Sequence, residues 1–232
     1  MTPQTISDER LYVALDLASV KKAEALVEAL GDTVVSYKIG LQLLPIGGVE
    51  FGQRLKAQGK NVFYDFKLHD IGATVEKATR SIAGLGADLL TVHARPDVMH
   101  SAVAGRGESS LKLLGVTVLT SLDQNALDAI GYSETAETLV MRRVEQALAA
   151  GMDGVVSSPL EAAAIRAIVP KDFLIVTPGV RMAGGDAGDQ KRIATPRKAL
   201  DSGASHLVVG RPISGAGDPK AAAKAILGTL GS

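Results

Sequence analysis

The sequence predicts an α/β chain closed into a (β/α)8 barrel, with residues 1–232 forming one domain. Three observations predict it. Short apolar runs recur eight times, segments with helical periodicity separate them, and polar residues collect where the runs end.

The runs are Tyr12 to Leu15, Val34 to Ile39, Val62 to Phe66, Leu89 to His93, Gly115 to Leu119, Gly154 to Ser157, Leu174 to Thr177 and Leu207 to Val209. They are rich in Val and Ile and mostly lack polar alternation, the pattern of parallel strands covered on both faces. Eight such strands suggest closure into a barrel, and 232 residues with 46% hydrophobic content supply a core large enough for one.

Between the strands, Val20, Ala23, Val27 and Leu30 make an apolar stripe that stops at Gly31. Val75, Ala78, Ile82 and Leu85 make another that stops at Gly86. Each has helical spacing with a glycine stop. Ser158-Pro159-Leu160-Glu161 orders a cap, a first-turn proline and an N3 glutamate, which predicts a helix start there. Thr195-Pro196 and Asp218-Pro219 repeat the cap and proline, the latter opening a helix through Ala221, Ala225 and Leu230.

Composition narrows the functional classes. The 25 basic and 25 acidic residues cancel and the basic ones are dispersed, so neither nucleic acid nor an anionic membrane is an expected partner. Aromatic residues, at 3%, provide no stacking platform for nucleic acid. Absence of cysteine removes disulfides, thiolate nucleophiles and cysteine-bound metals, and fits a reducing compartment. The polar N-terminal stretch has no apolar export segment and no apolar run reaches spanning length, so a cytoplasmic location is expected.

Strand ends then place the chemistry. Asp16 follows the first run, Lys38 closes the second, Asp65 and Lys67 close the third, His93 closes the fourth, Thr120 follows the fifth and Gly210-Arg211 follows the eighth. In a barrel these ends share one rim. Within Asp65-Phe66-Lys67-Leu68-His69-Asp70-Ile71, Asp65 and Lys67 fall on one face of a strand, about 6.7 Å apart along the backbone, and Asp70 lies beyond it. Lys38, Asp65, Lys67 and Asp70 could form an alternating network in which each cation offsets neighbouring carboxylates.

Such a network can drive decarboxylation. A substrate carboxylate beside an aspartate is repelled, the repulsion vanishes when carbon dioxide leaves, and an ammonium group stabilises and protonates the carbanion. No metal or electron-sink cofactor is needed for that route. The same aspartates could instead hold a divalent cation, or the four charges could be a structural ion-pair network at a strand end.

A phosphate site is suggested by Val208-Val209-Gly210-Arg211-Pro212-Ile213 and by Thr177-Pro178-Gly179-Val180-Arg181. In each, a glycine lets backbone amides approach an anion and an arginine supplies a multidentate donor. Phosphate at the ends of strands seven and eight is a recurring barrel solution. The glycine-rich stretch from Arg181 to Gln190 reads as a mobile lid on the same rim, with Gln190 able to close over phosphate and a polar base edge. His93 reads as a packed strand-end residue, and no chemistry is assigned to His69.

The segment from Asp65 to Ile71 closely resembles the signature of the orotidine 5'-phosphate decarboxylase family, of bacterial type. The likeness continues through Ala14-Leu15-Asp16, Tyr37-Lys38-Ile39-Gly40, Val118-Leu119-Thr120-Ser121, Thr177 to Arg181, Gly188 to Arg192 and Val209 to Pro212. It implies a homodimeric TIM barrel with active sites at the subunit interface, acting on a small nucleotide without metal or cofactor. It further implies that Lys67 protonates C6 of the pyrimidine, with Asp65 and Lys38 in the charged network. Asp70, Ile71 and Thr74 would come from the other subunit, Asp70 completing the network and Thr74 near the ribose. Asp16 and Lys38 would contact ribose hydroxyls, Thr120 the pyrimidine, Arg181, Gly210 and Arg211 the phosphate, and Gln190 the ligand from the lid. The competing readings are a magnesium-dependent phosphosugar barrel sharing the Asp-x-Lys-x-x-Asp core, and a non-enzymatic phosphate-ligand barrel.

Overall fold

The computed structural model describes residues 7–182 and 193–231. In chain order the elements are β1 (Leu11–Ala14), α1 (Val20–Leu30), β2 (Ser36–Gly40), α2 (Gly48–Ala57), β3 (Asn61–Leu68), α3 (Gly72–Ala83), β4 (Leu89–His93), α4 (Pro96–Arg106) and β5 (Lys112–Val116). There follow α5 (Gln124–Ala129), α6 (Ala136–Ala149), β6 (Gly154–Val156), α7 (Ala162–Ile168), β7 (Leu174–Thr177), α8 (Pro196–Asp201), β8 (His206–Val209), α9 (Arg211–Ser214) and α10 (Pro219–Gly228). The strands pair in sequence order, all parallel, and β8 closes on β1, so the fold is a (β/α)8 TIM barrel as the sequence predicts.

Alternation along each strand builds two apolar layers. Tyr12 and Ala14 of β1, Phe63 of β3, Leu89, Leu114, Val176 and Val208 pack together inside the barrel. Their strand neighbours Leu11, Val13, Val62, Tyr64, Leu90, Leu113, Ile175 and Leu207 join the larger core beneath the helices. Both faces are therefore buried, which is why the runs lack polar alternation. On the inner face Lys38 is in register with Ala14 on one side and Phe63 on the other, and Gly40 is in register with Asp65. Charged groups thus begin at the edge of the apolar plug.

At the opposite end, the residue before three of the even strands receives an amide from the odd strand before it. Asp88 accepts the Val62 N–H at 2.6 Å and the Lys56 ammonium at 2.7 Å. Asp153 accepts the Leu113 N–H at 2.9 Å, and the Ser205 hydroxyl accepts the Ile175 N–H at 2.9 Å. These bonds satisfy strand-start donors that the ladder leaves open. Polar groups at this end serve stability, while the other rim is left for chemistry.

Several predicted boundaries shift. β5 covers Lys112–Val116, not Gly115 to Leu119, because Val118 and Leu119 form part of the cavity wall beyond the ladder. Thr120 consequently lies on the loop after β5. No helix starts at Ser158: its hydroxyl accepts the Leu160 N–H at 3.1 Å, closing a local turn, and α7 begins at Ala162. α3 stops at Ala83, ahead of Gly86. The caps at Thr195 and Asp218 form as predicted, each side chain accepting an N3 amide, but α10 buries Ala223, Ile226 and Leu227, and Ala225 faces outward.

Candidate active site

β3 carries the main irregularity of the barrel. Tyr64 pairs with Leu90 and Leu68 pairs with Val92, so Asp65, Phe66 and Lys67 stand opposite the single residue Thr91. The extra residues form a bulge, and Lys67 adopts φ 48°, the one non-glycine with positive φ among the described residues. A left-handed lysine is strained by ~1 kcal/mol or more, and such strain collects at functional sites. Regular strand geometry would keep the Asp65 and Lys67 side chains side by side. At this bulge Nζ of Lys67 lies 2.9 Å from Oδ1 of Asp65.

From there the charges alternate. Oδ2 of Asp65 is 3.3 Å from Nζ of Lys38, and Lys38 is 3.1 Å from Oδ1 of Asp16. Lys38 is buried, at 6% exposure, whereas the Asp16 side chain is half exposed at the rim. Burial disfavours the Asp65 carboxylate, but the ammonium groups of Lys38 and Lys67 outweigh it and hold its pKa below the ordinary 3.8. Burial likewise disfavours the Lys38 ammonium, and Asp65 with Asp16 outweighs it and raises its pKa above 10.5. Lys38 and Asp65 thus keep their charges through the balance of their neighbours.

The network floors a cavity of ≈ 470 Å³ at the strand ends. Asp16, Lys38, Asp65, Lys67, Thr120, Arg181, Gly210 and Arg211 all line it, so eight of the predicted site residues meet in one space. Arg181 is buried, with its backbone N–H donating to the Ala194 carbonyl at 3.0 Å and its guanidinium donating to the Val180 carbonyl at 2.9 Å. Gly179 takes φ 76°, a conformation that glycine adopts freely, and its place two residues before Arg181 turns the chain across the cavity wall. Gly210 precedes α9 and Arg211 opens it.

Asp70, Ile71 and Thr74 do not line this cavity. Ile71 is 72% exposed, Asp70 and Thr74 are also exposed, and Asp70 accepts its neighbour's Ile71 N–H at 2.6 Å. Within one chain, then, three members of the expected quartet meet and Asp70 stands apart. Gln190, and the lid stretch from residue 183 onward, lie outside the described residues. His93 packs against His69 with ring centroids 4.7 Å apart and the rings tilted by 40°, and His69 Nε2 lies 3.0 Å from the Arg95 guanidinium. Burial first, then the nearby His69, Arg143, Lys67 and Arg95, pushes the His93 pKa below 6.5.

The roles of three residues escaped the sequence reading. Thr91 donates its hydroxyl hydrogen to Oδ1 of Asp65 at 2.9 Å and accepts the Lys67 N–H at 3.0 Å. A lone hydroxyl inside Leu89-Leu90-Thr91-Val92 was the available signal. Gly40 makes room for the Asp16 and Lys38 side chains, a role visible only once β1 and β2 are paired. Gln42 lines the cavity from the loop after β2.

Fold and site together define a class: a parallel α/β barrel whose reactive groups are alternating ammonium and carboxylate side chains at the strand ends. The chain belongs to the orotidine 5'-phosphate decarboxylase / HUMPS family, whose model matches residues 9 to 226. It is 56% identical over 224 residues to an orotidine 5'-phosphate decarboxylase of Caulobacter sp. (strain K31), covering 97% of this chain and 98% of that one. Identity to the orotidine 5'-phosphate decarboxylase of Caulobacter vibrioides (strain NA1000 / CB15N) is 58% over 221 residues, covering 94% and 95%. A crystal structure of the Lactobacillus acidophilus orotidine 5'-phosphate decarboxylase superposes with a TM-score of 0.84 at 36% identity, covering 97% of this chain and 100% of that one.

Proposed function

We propose that this chain decarboxylates orotidine 5'-phosphate to uridine 5'-phosphate and carbon dioxide, a carboxy-lyase step of pyrimidine nucleotide synthesis. The observation that carries the reading is the Lys67 ammonium held 2.9 Å from the largely buried Asp65 carboxylate in the cavity floor. A substrate carboxylate placed beside Asp65 is repelled in the ground state. As carbon dioxide departs the repulsion falls, charge develops at C6, and Lys67 stabilises that charge and protonates it.

The remaining contacts are assigned by their place in the cavity. Asp16 and Lys38 take the ribose hydroxyls, Thr120 the pyrimidine, and Arg181, Gly210 and Arg211 the phosphate. Gln190 is assigned to the lid. Phosphate binding far from C6 supports reactivity at C6 by favouring the form in which water is excluded. Asp70, Ile71 and Thr74 act on the neighbouring copy's site in a homodimer, Asp70 completing the charged network. Their exposure in one chain and their absence from its own cavity wall support that reading.

A magnesium-dependent reaction is disfavoured by the surroundings of Asp65. Its two oxygens are taken by Lys38, Lys67 and Thr91, and two ammonium groups repel a divalent cation placed there. Among the described residues no group of three or more His, Cys, Asp or Glu side chains is placed to hold a metal. Among the same residues no helix is long and apolar enough to cross a membrane. We read the chain as one barrel domain of a cytoplasmic enzyme.

The test is incubation of purified, chelator-treated protein with orotidine 5'-phosphate, following loss of substrate and formation of uridine 5'-phosphate. Stoichiometric product in chelator is expected. Tight nucleotide binding without turnover would leave a binding barrel, and turnover only after magnesium is restored would leave a metal-dependent relative.

A further inference from the structure

We propose that Thr91 is a positioning residue whose buried hydroxyl replaces the strand pairing lost at the β3 bulge and so holds Lys67 against Asp65. The inference deepens the decarboxylase reading and rests on it for its kinetic consequences.

The argument begins with pairing. Between Tyr64–Leu90 and Leu68–Val92, three residues of β3 face Thr91 alone, so the ladder cannot supply a partner for every backbone group of the bulge. The Lys67 N–H is one such group, and it donates to Oγ1 of Thr91 at 3.0 Å. A hydroxyl that accepts an amide still has one hydrogen to give. That hydrogen goes to Oδ1 of Asp65 at 2.9 Å, the same oxygen that receives the Lys67 ammonium at 2.9 Å. One side chain therefore ties the Lys67 backbone and the Asp65 carboxylate to a common point.

Thr91 itself is fully buried and is not part of the cavity wall, so it does not reach a bound ligand. Its action passes through Asp65 and Lys67. The left-handed φ of Lys67 persists only if its surroundings over-determine it, and the Thr91 acceptor is the group placed to do so. The direction of the hydroxyl is set by chemistry, since a carboxylate only accepts and an amide only donates. Valine matches threonine in shape and provides neither function; serine provides both and drops the methyl group.

The proposed phosphate contacts lie elsewhere in the cavity, and the proposed ribose contact Lys38 meets Asp65 at its other oxygen, Oδ2, so loss of the hydroxyl acts first on the reacting end. For Thr91→Val, kcat is expected to fall about 100-fold with KM changed less than about 3-fold, the pattern of an interaction made chiefly in the transition state. Thr91→Ser is expected to recover kcat to within about 10-fold of wild type. In the valine variant the acid limb of kcat against pH moves upward, since Asp65 has lost a donor to its charged form. In the wild-type protein, without substrate, the Lys67 amide exchanges slowly with deuterated solvent.

Valine and serine variants that lose activity equally, or a valine variant with kcat within about 3-fold of wild type, would overturn the proposal. So would a wild-type Lys67 amide that exchanges as fast as an open strand end, a measurement that stands even if the valine variant does not fold. Amide exchange needs no turnover. An inactive wild-type protein would therefore sink the decarboxylase reading while the exchange result still judged the role of Thr91.

Discussion

A β-carbon on Gly40 would lie 2.9 Å from Nζ of Lys38 and 2.8 Å from Oδ1 of Asp16. Glycine at this inner-face position is what lets an ammonium and a carboxylate meet above β2. The obstructing atoms are the ends of flexible side chains, so Gly40→Ala should fold with stability changed by about 1 kcal/mol or less, yet separate the pair. Expected is a loss of about 10-fold or more in kcat/KM, in proportion to one disturbed charge-assisted bond. Contrast Gly105→Ala, whose new carbon would overlap the Glu76 carbonyl oxygen where α4 crosses α3. Backbone cannot step aside there, and thermal denaturation should show destabilisation of about 1–3 kcal/mol.

Lys67 and Arg211 both line the cavity, but their losses should look different. Removing the proposed proton donor in Lys67→Ala should lower kcat by about 10³-fold or more. Arg211→Ala should mainly raise KM, by about 10- to 100-fold, the worth of a charge-assisted phosphate bond. Steady-state kinetics on both variants decides it, and the reverse pattern would exchange the assignments.

Asp70 and Lys67 would belong to different chains of one site if the proposed dimer is right. Each of Lys67→Ala and Asp70→Ala alone should be nearly inactive. Mixing them under conditions that exchange subunits should restore one competent site per heterodimer. Confirmed heterodimers that stay inactive would place Asp70 outside the network.

Stability against pH should carry the mark of the network. The Asp65 carboxyl is held below its ordinary value, so its contribution is present above 3.8 and is lost as pH falls through the folded-state value. The Lys38 ammonium is held above its ordinary value, so its contribution is present below 10.5 and is lost as pH rises through the folded-state value. Denaturation of Asp65→Asn across pH should therefore show a shallower acid-side slope than wild type. Equal slopes would mean that Lys38 and Lys67 do not hold Asp65 in its charged form.

The barrel was legible in the sequence because parallel strands buried on both faces must be apolar throughout, and eight such runs survive any small error in their ends. Those errors fell where apolar character had another cause. Val118 and Leu119 look like strand yet form cavity wall, and the Ser158 hydroxyl closed a local turn that outcompeted a helix cap. The charged residues at the rim were legible for the same reason: ionised groups at the end of an apolar run must have partners.

Partnership itself was a matter of tertiary structure. Sequence by itself determined the strand count, the rim and the identities of Lys38, Asp65 and Lys67. Only the folded barrel decided that β3 bulges against Thr91, that Lys67 takes a left-handed backbone, and that Gly40 clears space for Asp16 and Lys38. Periodicity reports which face a side chain occupies, whereas a bulge and a close approach depend on register between strands far apart in the chain.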